Sequence, residues 1–198
     1  MRGFTLIETL ISVMLFTVIS LALYKTFVLA DRAIETLEGH VWNLQALRQT
    51  LESLRTDIES SFYTVDIDAS RFKAQDRDVL GRQASAISMT TFAGMGVGHK
   101  DVSYYVVEKG KKLSLYKKIT MPSGDSSAGE TVEVEVIADI QEFTIEVFDT
   151  LAGVPVKSWD TALTGKMPSS VRVTITVPAN NTPLTLSETV YPKINARL

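Results

Sequence analysis

Glu8 sits near the head of an apolar run, RGFTLIETLISVMLFTVISLALY (Arg2 to Tyr24). The later part of that run, the 16 residues from Thr9 to Tyr24, carries no charge. A carboxylate costs on the order of 3 kcal/mol near the centre of a bilayer and less towards the interface, so an acid in such a segment usually has a function. Glu8 follows Phe4 by four residues, which in a helix is one turn further along the same face. A chain cut after Gly3 would carry a free cationic amine on Phe4. Glu8 could neutralise that amine in its own subunit or in an adjacent one. The carboxylate also suits the positive end of a helix dipole, whereas the amine does not. These residue types at this spacing point to charge pairing within a helical assembly.

Elsewhere the chain offers little chemistry. It has no cysteine, which excludes disulfide frameworks and thiolate metal sites. Its two histidines, His40 and His99, are far apart in sequence, and no metal ligand set is expected. Asp66 and Asp68 lie close together in VDID, but without a third ligand or a glycine-bent loop they read as a solvated edge. GMGVG (Gly94 to Gly98) lacks the spacing of a dinucleotide-binding loop and leads into a strand, so it reads as a turn. No G-x-S-x-G, Walker loop or H-E-x-x-H is present. Asn180-Asn181-Thr182 matches a glycosylation sequon, to which we attach no role. Trp42 and Trp159 read as core or interface aromatics. The chain is therefore expected to be neither an enzyme nor a cofactor carrier. A net charge of −3 and a pI near 5.5 give no basic surface for nucleic acid.

Several elements must position Glu8. Residues Phe4 to Ala30, read as one helix, would reach about 40 Å at roughly 1.5 Å per residue, enough to cross a bilayer. A secretory signal peptide fits poorly, because Glu8 stands where basic residues belong and Ser20-Leu21-Ala22 makes a weak cleavage site. A plain anchor fits the length but leaves Glu8 unexplained. Residues 31–62 continue as an amphipathic helix, with Ile34, Leu37, Val41, Leu44, Leu47, Leu51, Leu54 and Ile58 forming one stripe. Arg48 and Arg55 interrupt a coiled-coil repeat, so the C-terminal half of this helix is expected to pack on its own domain. Gly39 is expected to soften the helix between its two halves.

From residue 63 onward the period changes to that of strands. Ala86 to Phe92, Val102 to Glu108 and Lys112 to Ile119 read as strands, with a turn at Lys109-Gly110-Lys111. Thr131 to Val136, the run through Phe143, Ile145 and Val147, the run from Val171 to Val177, and Leu184 to Val190 follow. Their strict alternation predicts one buried and one wet face, as in antiparallel sheets. Loops are expected at 93–100, 121–130 and 178–183. The fold class is thus α+β, a long N-terminal helix packed on antiparallel sheet.

The segment Gly3-Phe4-Thr5-Leu6-Ile7-Glu8, leading at once into an apolar helix, resembles the cleavage motif of type IV prepilins and type II secretion pseudopilins. The resemblance implies a pilin-like fold, cleavage by a prepilin peptidase between Gly3 and Phe4, N-methylation of Phe4, and a role for Glu8 in subunit assembly. The leader, Met1-Arg2-Gly3, is shorter than is usual in that family, which leaves the start codon open, while Arg2 matches the basic residue common before the glycine.

Downstream, LRQTLESLRTDIESS (Leu47 to Ser61), KKLSLYKKI (Lys111 to Ile119), VEVIADIQEFTIEVFD (Val134 to Asp149), Trp159 and MPSSVRVTITV (Met167 to Val177) are similar to the J-type minor pseudopilins. Asp57 holds the place of that group's acidic residue near the helix end. The stretch Tyr63 to Gln83 departs from the pattern. The likeness implies a minor subunit at the tip of a periplasmic pseudopilus, helping to start its assembly. Its partners would be the I-type and K-type minor pseudopilins and the major pseudopilin. The chain would cross the inner membrane once, with residues 63–198 in the periplasm. A W-like minor type IV pilin, serving pilus initiation or adhesion, is the nearest rival. A membrane-anchored binding protein or enzyme that never assembles is the rival from another class.

Overall fold

The computed structural model describes residues 5–64, 70–93, 98–121, 130–149, 153–178 and 183–193, with the backbone alone for residues 33–43. The chain divides into two units, Met1–Leu44 and Gln45–Leu198. One helix, α1 (Leu6–Glu59), supplies most of the first and begins the second. Gly39 lies within this helix. The first proline of the chain is Pro122, so nothing in this stretch withholds a backbone donor.

Within the second unit, α1 ends where its backbone is taken up by a strand. The Ser61 hydroxyl donates to the Ile58 carbonyl at 2.6 Å, closing the last turn. The Phe62 amide then donates to the Thr90 carbonyl and the Phe92 amide to that of Ser60. Phe62 and Phe92 stack at 4.3 Å beside this junction.

The strands are β1 (Phe72–Gln75), β2 (Asp78–Val79), β3 (Arg82–Gln83), β4 (Ala86–Thr91), β5 (Lys100–Lys109), β6 (Lys112–Met121), β7 (Glu130–Ile140), β8 (Glu142–Phe148), β9 (Trp159–Asp160), β10 (Ser170–Val177) and β11 (Leu184–Val190). A short helix, α2 (Thr161–Thr164), lies between β9 and β10. Six strands form one sheet in the order β7-β6-β5-β4-β1-β9, three form a second in the order β11-β10-β8, and β2 and β3 form a hairpin. All these pairings are antiparallel. The two larger sheets meet near Ala84, which bridges Phe143, and Ser85, whose amide donates to the Phe143 carbonyl. The fold is therefore α+β and pilin-like in arrangement, a long helix followed by antiparallel sheet.

Leu47, Leu51, Leu54 and Ile58 of α1 are buried in one core with residues of both sheets. The six-stranded sheet contributes Phe72, Ile87, Met89, Val102, Tyr104, Val106, Leu113 and Leu115, and the three-stranded sheet contributes Phe143, Ile145, Val147, Val171, Val173 and Ile175. The apolar stripe expected on the helix is thus buried from Leu47 onward, and Ile34, Leu37 and Val41 lie outside the described side chains.

A charged cluster is buried in this apolar interface. Asp57 is 2 % exposed, receives the Lys117 ammonium at 2.7 Å, and accepts the Tyr104 hydroxyl at 2.7 Å. Lys117 also donates to the Ser53 hydroxyl at 2.8 Å and lies over the Tyr104 ring at 5.1 Å. Burial, and then the Asp57 charge, push the Tyr104 phenol far above its ordinary range and keep it a donor. Four side chains from one helix and two strands satisfy one another, which fixes where α1 sits along β5 and β6.

The alternation of β8 and β10 behaves as expected, with Phe143, Ile145, Val147, Val171, Val173 and Ile175 all inward. That of β7 does not. Val132 is 42 % exposed and Val134 50 % exposed, although they alternate with Glu133 and Glu135. β7 is the outermost strand of its sheet, and its pairing with β6 shifts register twice between Leu113 and Tyr116. Those bulges keep Val132 and Val134 on the face of the sheet that carries Lys117 and Ile119, but at its open margin. Glu133 and Glu135 face the other way and accept hydrogen bonds from Tyr105 and Tyr116.

The strands missed from sequence are short ones. β1, β2 and β3 fall in the stretch that departs from the family pattern. At the tip of β2 and β3, Leu80 and Gly81 take φ of 57° and 73°, and the Gly81 amide donates to the Asp78 carboxylate. Positive φ at both central residues is the requirement of a tight two-residue hairpin. Asn-Gly would advertise such a turn, but Leu-Gly does not. β9 is two residues long and is held to β1 by Thr161, whose hydroxyl accepts from the Phe72 amide and donates to its carbonyl.

Candidate assembly segment

The first turns of α1 arise from an uninterrupted series of good helix formers and β-branched residues suited to an apolar surrounding. The Glu8 and Thr9 amides donate to the Thr5 carbonyl, so the helical pattern begins at Thr5. Glu8 lies in the first turn, where a carboxylate meets the positive end of the helix. Its side chain is exposed, and among the described residues it forms no ion pair. Gly3 and Phe4, the expected cleavage pair, lie outside the described residues.

Leu6–Arg32 is long and apolar enough to cross a membrane, with a mean hydropathy of 2.3 over its best window and none of that window buried within the chain. This span ends two residues beyond the expected 4–30. Leu6, Ile7, Leu10, Val13, Met14, Phe16, Phe27 and Leu29 are among the large apolar side chains left uncovered. The segment is apolar on every side, which suits lipid or neighbouring apolar helices. Its hydroxyls make little demand on that environment. Thr9 donates to the Leu6 carbonyl, Ser12 to that of Glu8, Thr17 to that of Val13 and Thr26 to that of Ala22. The segment can therefore serve as a membrane anchor.

Of the other candidate positions, Trp159 and His99 are described. Trp159 is buried, and its indole donates to the Lys166 carbonyl at 3.2 Å, so it is a core aromatic as expected. His99 packs edge-on to Phe62. The side chains of His40 and Trp42, and residues Asp66, Asp68, Gly94 and Asn180, lie outside what is described. Among the described residues, no group of three potential metal ligands is gathered.

Sequence reasoning missed the basic face of the six-stranded sheet, where Lys73, Arg77 and Lys118 converge on one groove. Lys118 stands 41 residues beyond Arg77 in sequence, and strand pairing brings the two segments together.

Comparison with known proteins bears on the N-terminus. No curated protein matches the chain. Residues 1–24 match the family model described as the prokaryotic N-terminal methylation motif, which takes in Gly3, Phe4 and Glu8 and the apolar span as far as Tyr24. The chain thus carries a type IV prepilin-like N-terminus, joined to a helix that can anchor it in a membrane and to an α+β domain.

Proposed function

We propose that this chain is a minor pseudopilin of a type II secretion system, a structural subunit at the tip of a periplasmic pseudopilus that helps to start its assembly. The observation that carries this reading is the methylation motif at residues 1–24 running directly into an exposed apolar helix. Prepilin peptidase would cut between Gly3 and Phe4 and the new terminus would be N-methylated. The helix would hold the subunit in the inner membrane, with the β-rich domain in the periplasm. On entry into the pseudopilus it would exchange lipid for the helices of neighbouring subunits. Glu8 would then draw a subunit into register by pairing with the Phe4 amine of the same chain or of the next. I-type and K-type minor pseudopilins and the major pseudopilin are the proposed neighbours, and the work of the subunit is mechanical, not catalytic.

Two measurements test this. Mass spectrometry of membrane-extracted protein should find a chain that begins at methylated Phe4, and an uncut N-terminus would refute processing. Deleting the gene should abolish protein export. Loss of twitching with export intact would instead assign the chain to a type IV pilus.

A further inference from the structure

The outer face of the six-stranded sheet, turned away from α1, carries a groove of about 280 Å³ lined by Lys73, Gln75, Arg77, Ser88, Tyr105 and Lys118, among others. Strand register builds it. Lys73 is paired with Ser88, Ser88 with Ser103, and Ser103 with Lys118, in one row across β1, β4, β5 and β6. Strands lie about 4.8 Å apart, so the two lysines are roughly 14 Å apart at their backbones, with two short serines between them. In the next row Gln75 is paired with Ala86, again a small residue beside a long one. The floor is therefore made of Ser88, Ser103 and Ala86, with Lys73 of β1 and Arg77 just beyond that strand on one side and Lys118 and Tyr105 opposite.

Of the three cations in this groove, one has an ion-pair partner among the described residues. Asp160 takes Lys73 at 3.3 Å. Arg77 and Lys118 have no ion pair among the described residues, and the hydroxyls of Ser88 and Ser103 have no hydrogen-bond partner there. Glu133 stands across the strands from Lys118 but accepts the Tyr105 hydroxyl at 2.6 Å, and among the described residues the two form no ion pair. Tyr105 in turn lies stacked on Tyr116, giving the wall an apolar surface.

We propose that this groove is a docking site for an acidic peptide segment, one carboxylate of which is held by Lys118 over the Ser88 and Ser103 hydroxyls and another by Arg77 further along the groove. A guanidinium fork matches one planar carboxylate in two parallel hydrogen bonds, and an ammonium with two hydroxyls supplies three donors to a second. The aromatic wall suits the methylene stem of a glutamate. The size of the groove admits one or two side chains, at the small end of ligand clefts. The whole chain is negative, at −3, which disfavours a long polyanion such as nucleic acid while leaving local capture of one carboxylate favourable.

The test uses the full chain in neutral detergent micelles and a fluorescein-labelled peptide of alternating glycine and glutamate, followed by anisotropy. Its glutamine counterpart is the control. The glutamate peptide should bind at least tenfold more tightly, and binding should weaken steeply as salt is raised. Arg77→Gln and Lys118→Gln, both exposed and remote from the core, should each weaken it about tenfold. Ser103→Leu fills the floor without changing any charge and should abolish binding while near-ultraviolet circular dichroism stays native. Equal binding of the two peptides, or binding untouched by Ser103→Leu in a folded protein, overturns the proposal. Binding of inorganic phosphate at this groove with no binding of the glutamate peptide overturns it as well.

Discussion

Asp57→Asn removes one charge from the buried cluster under α1 and leaves its size nearly unchanged. Asparagine can still accept the Tyr104 hydroxyl, but the Lys117 ammonium is left with the Ser53 hydroxyl and the Tyr104 ring. Removing one partner of a buried pair costs about 3–5 kcal/mol because the other charge stays desolvated. Lys117 keeps 14 % of its side chain exposed and can recruit some water, which places the expected loss near the lower end, about 3 kcal/mol. For a domain of this size each kcal/mol moves the midpoint by about 2–4 °C, so thermal unfolding should begin roughly 6–12 °C lower. Urea unfolding of the full chain in detergent, followed by the fluorescence of buried Trp159, gives the free energy directly. The double variant Asp57→Leu with Lys117→Met should recover most of the loss, since an apolar pair leaves no charge stranded. A single-variant cost below about 1 kcal/mol, or a double variant that loses the sum of both singles, would refute the argument.

Three other outcomes are expected. Glu8→Ala should leave cleavage after Gly3 largely intact but reduce co-purification with partner subunits, and unchanged co-purification would sink the assembly role. Leu80→Asn should stabilise the β2–β3 hairpin by about 1 kcal/mol, because asparagine tolerates the left-handed conformation that leucine resists; a lower urea midpoint would contradict this. Glu59 is held below its ordinary value of 4.5, first by the hydrogen bond from Lys193 and then by that from Arg55. Its folded value therefore lies below its unfolded one, so its stabilisation is present above pH 4.5 and fades as pH falls through the folded value. Wild type should exceed Glu59→Gln in thermal midpoint at neutral pH and match it in strong acid, and a gap that persists in acid would overturn the assignment.

How much of this was legible in the sequence depended on how local each signal is. The N-terminal motif, the apolar span and the stripe from Leu47 to Ile58 are readable because each is written within a few turns of one helix. The alternation of Phe143 to Val147 and of Val171 to Val177 gave correct strands and correct faces for the same reason. β1, β2, β3 and β9 escaped because two to four residues carry no period, and because Leu80 occupies a turn position where its type gives no hint. The exposure of Val132 and Val134 could not be read, since alternation says which residues share a face but not whether anything lies over it. Asp57 was singled out as an acidic residue near the helix end, yet its partners Tyr104 and Lys117 stand 47 and 60 residues away. The basic groove was invisible for the same reason, being assembled from four strands.

The two register shifts in β7 give that strand something like a reading frame. Each extra residue exchanges inside and outside for everything beyond it, and the second restores what the first inverted. With one of the two insertions and not the other, Glu133 and Glu135 would face away from Tyr105 and Tyr116. A one-residue deletion between Val136 and Asp139 would leave the composition almost untouched yet turn two glutamates towards the helix side and two valines towards the tyrosines. Length variation in this short stretch is thus a frameshift written in backbone geometry, able to rewrite one margin of the sheet without changing any of its side chains.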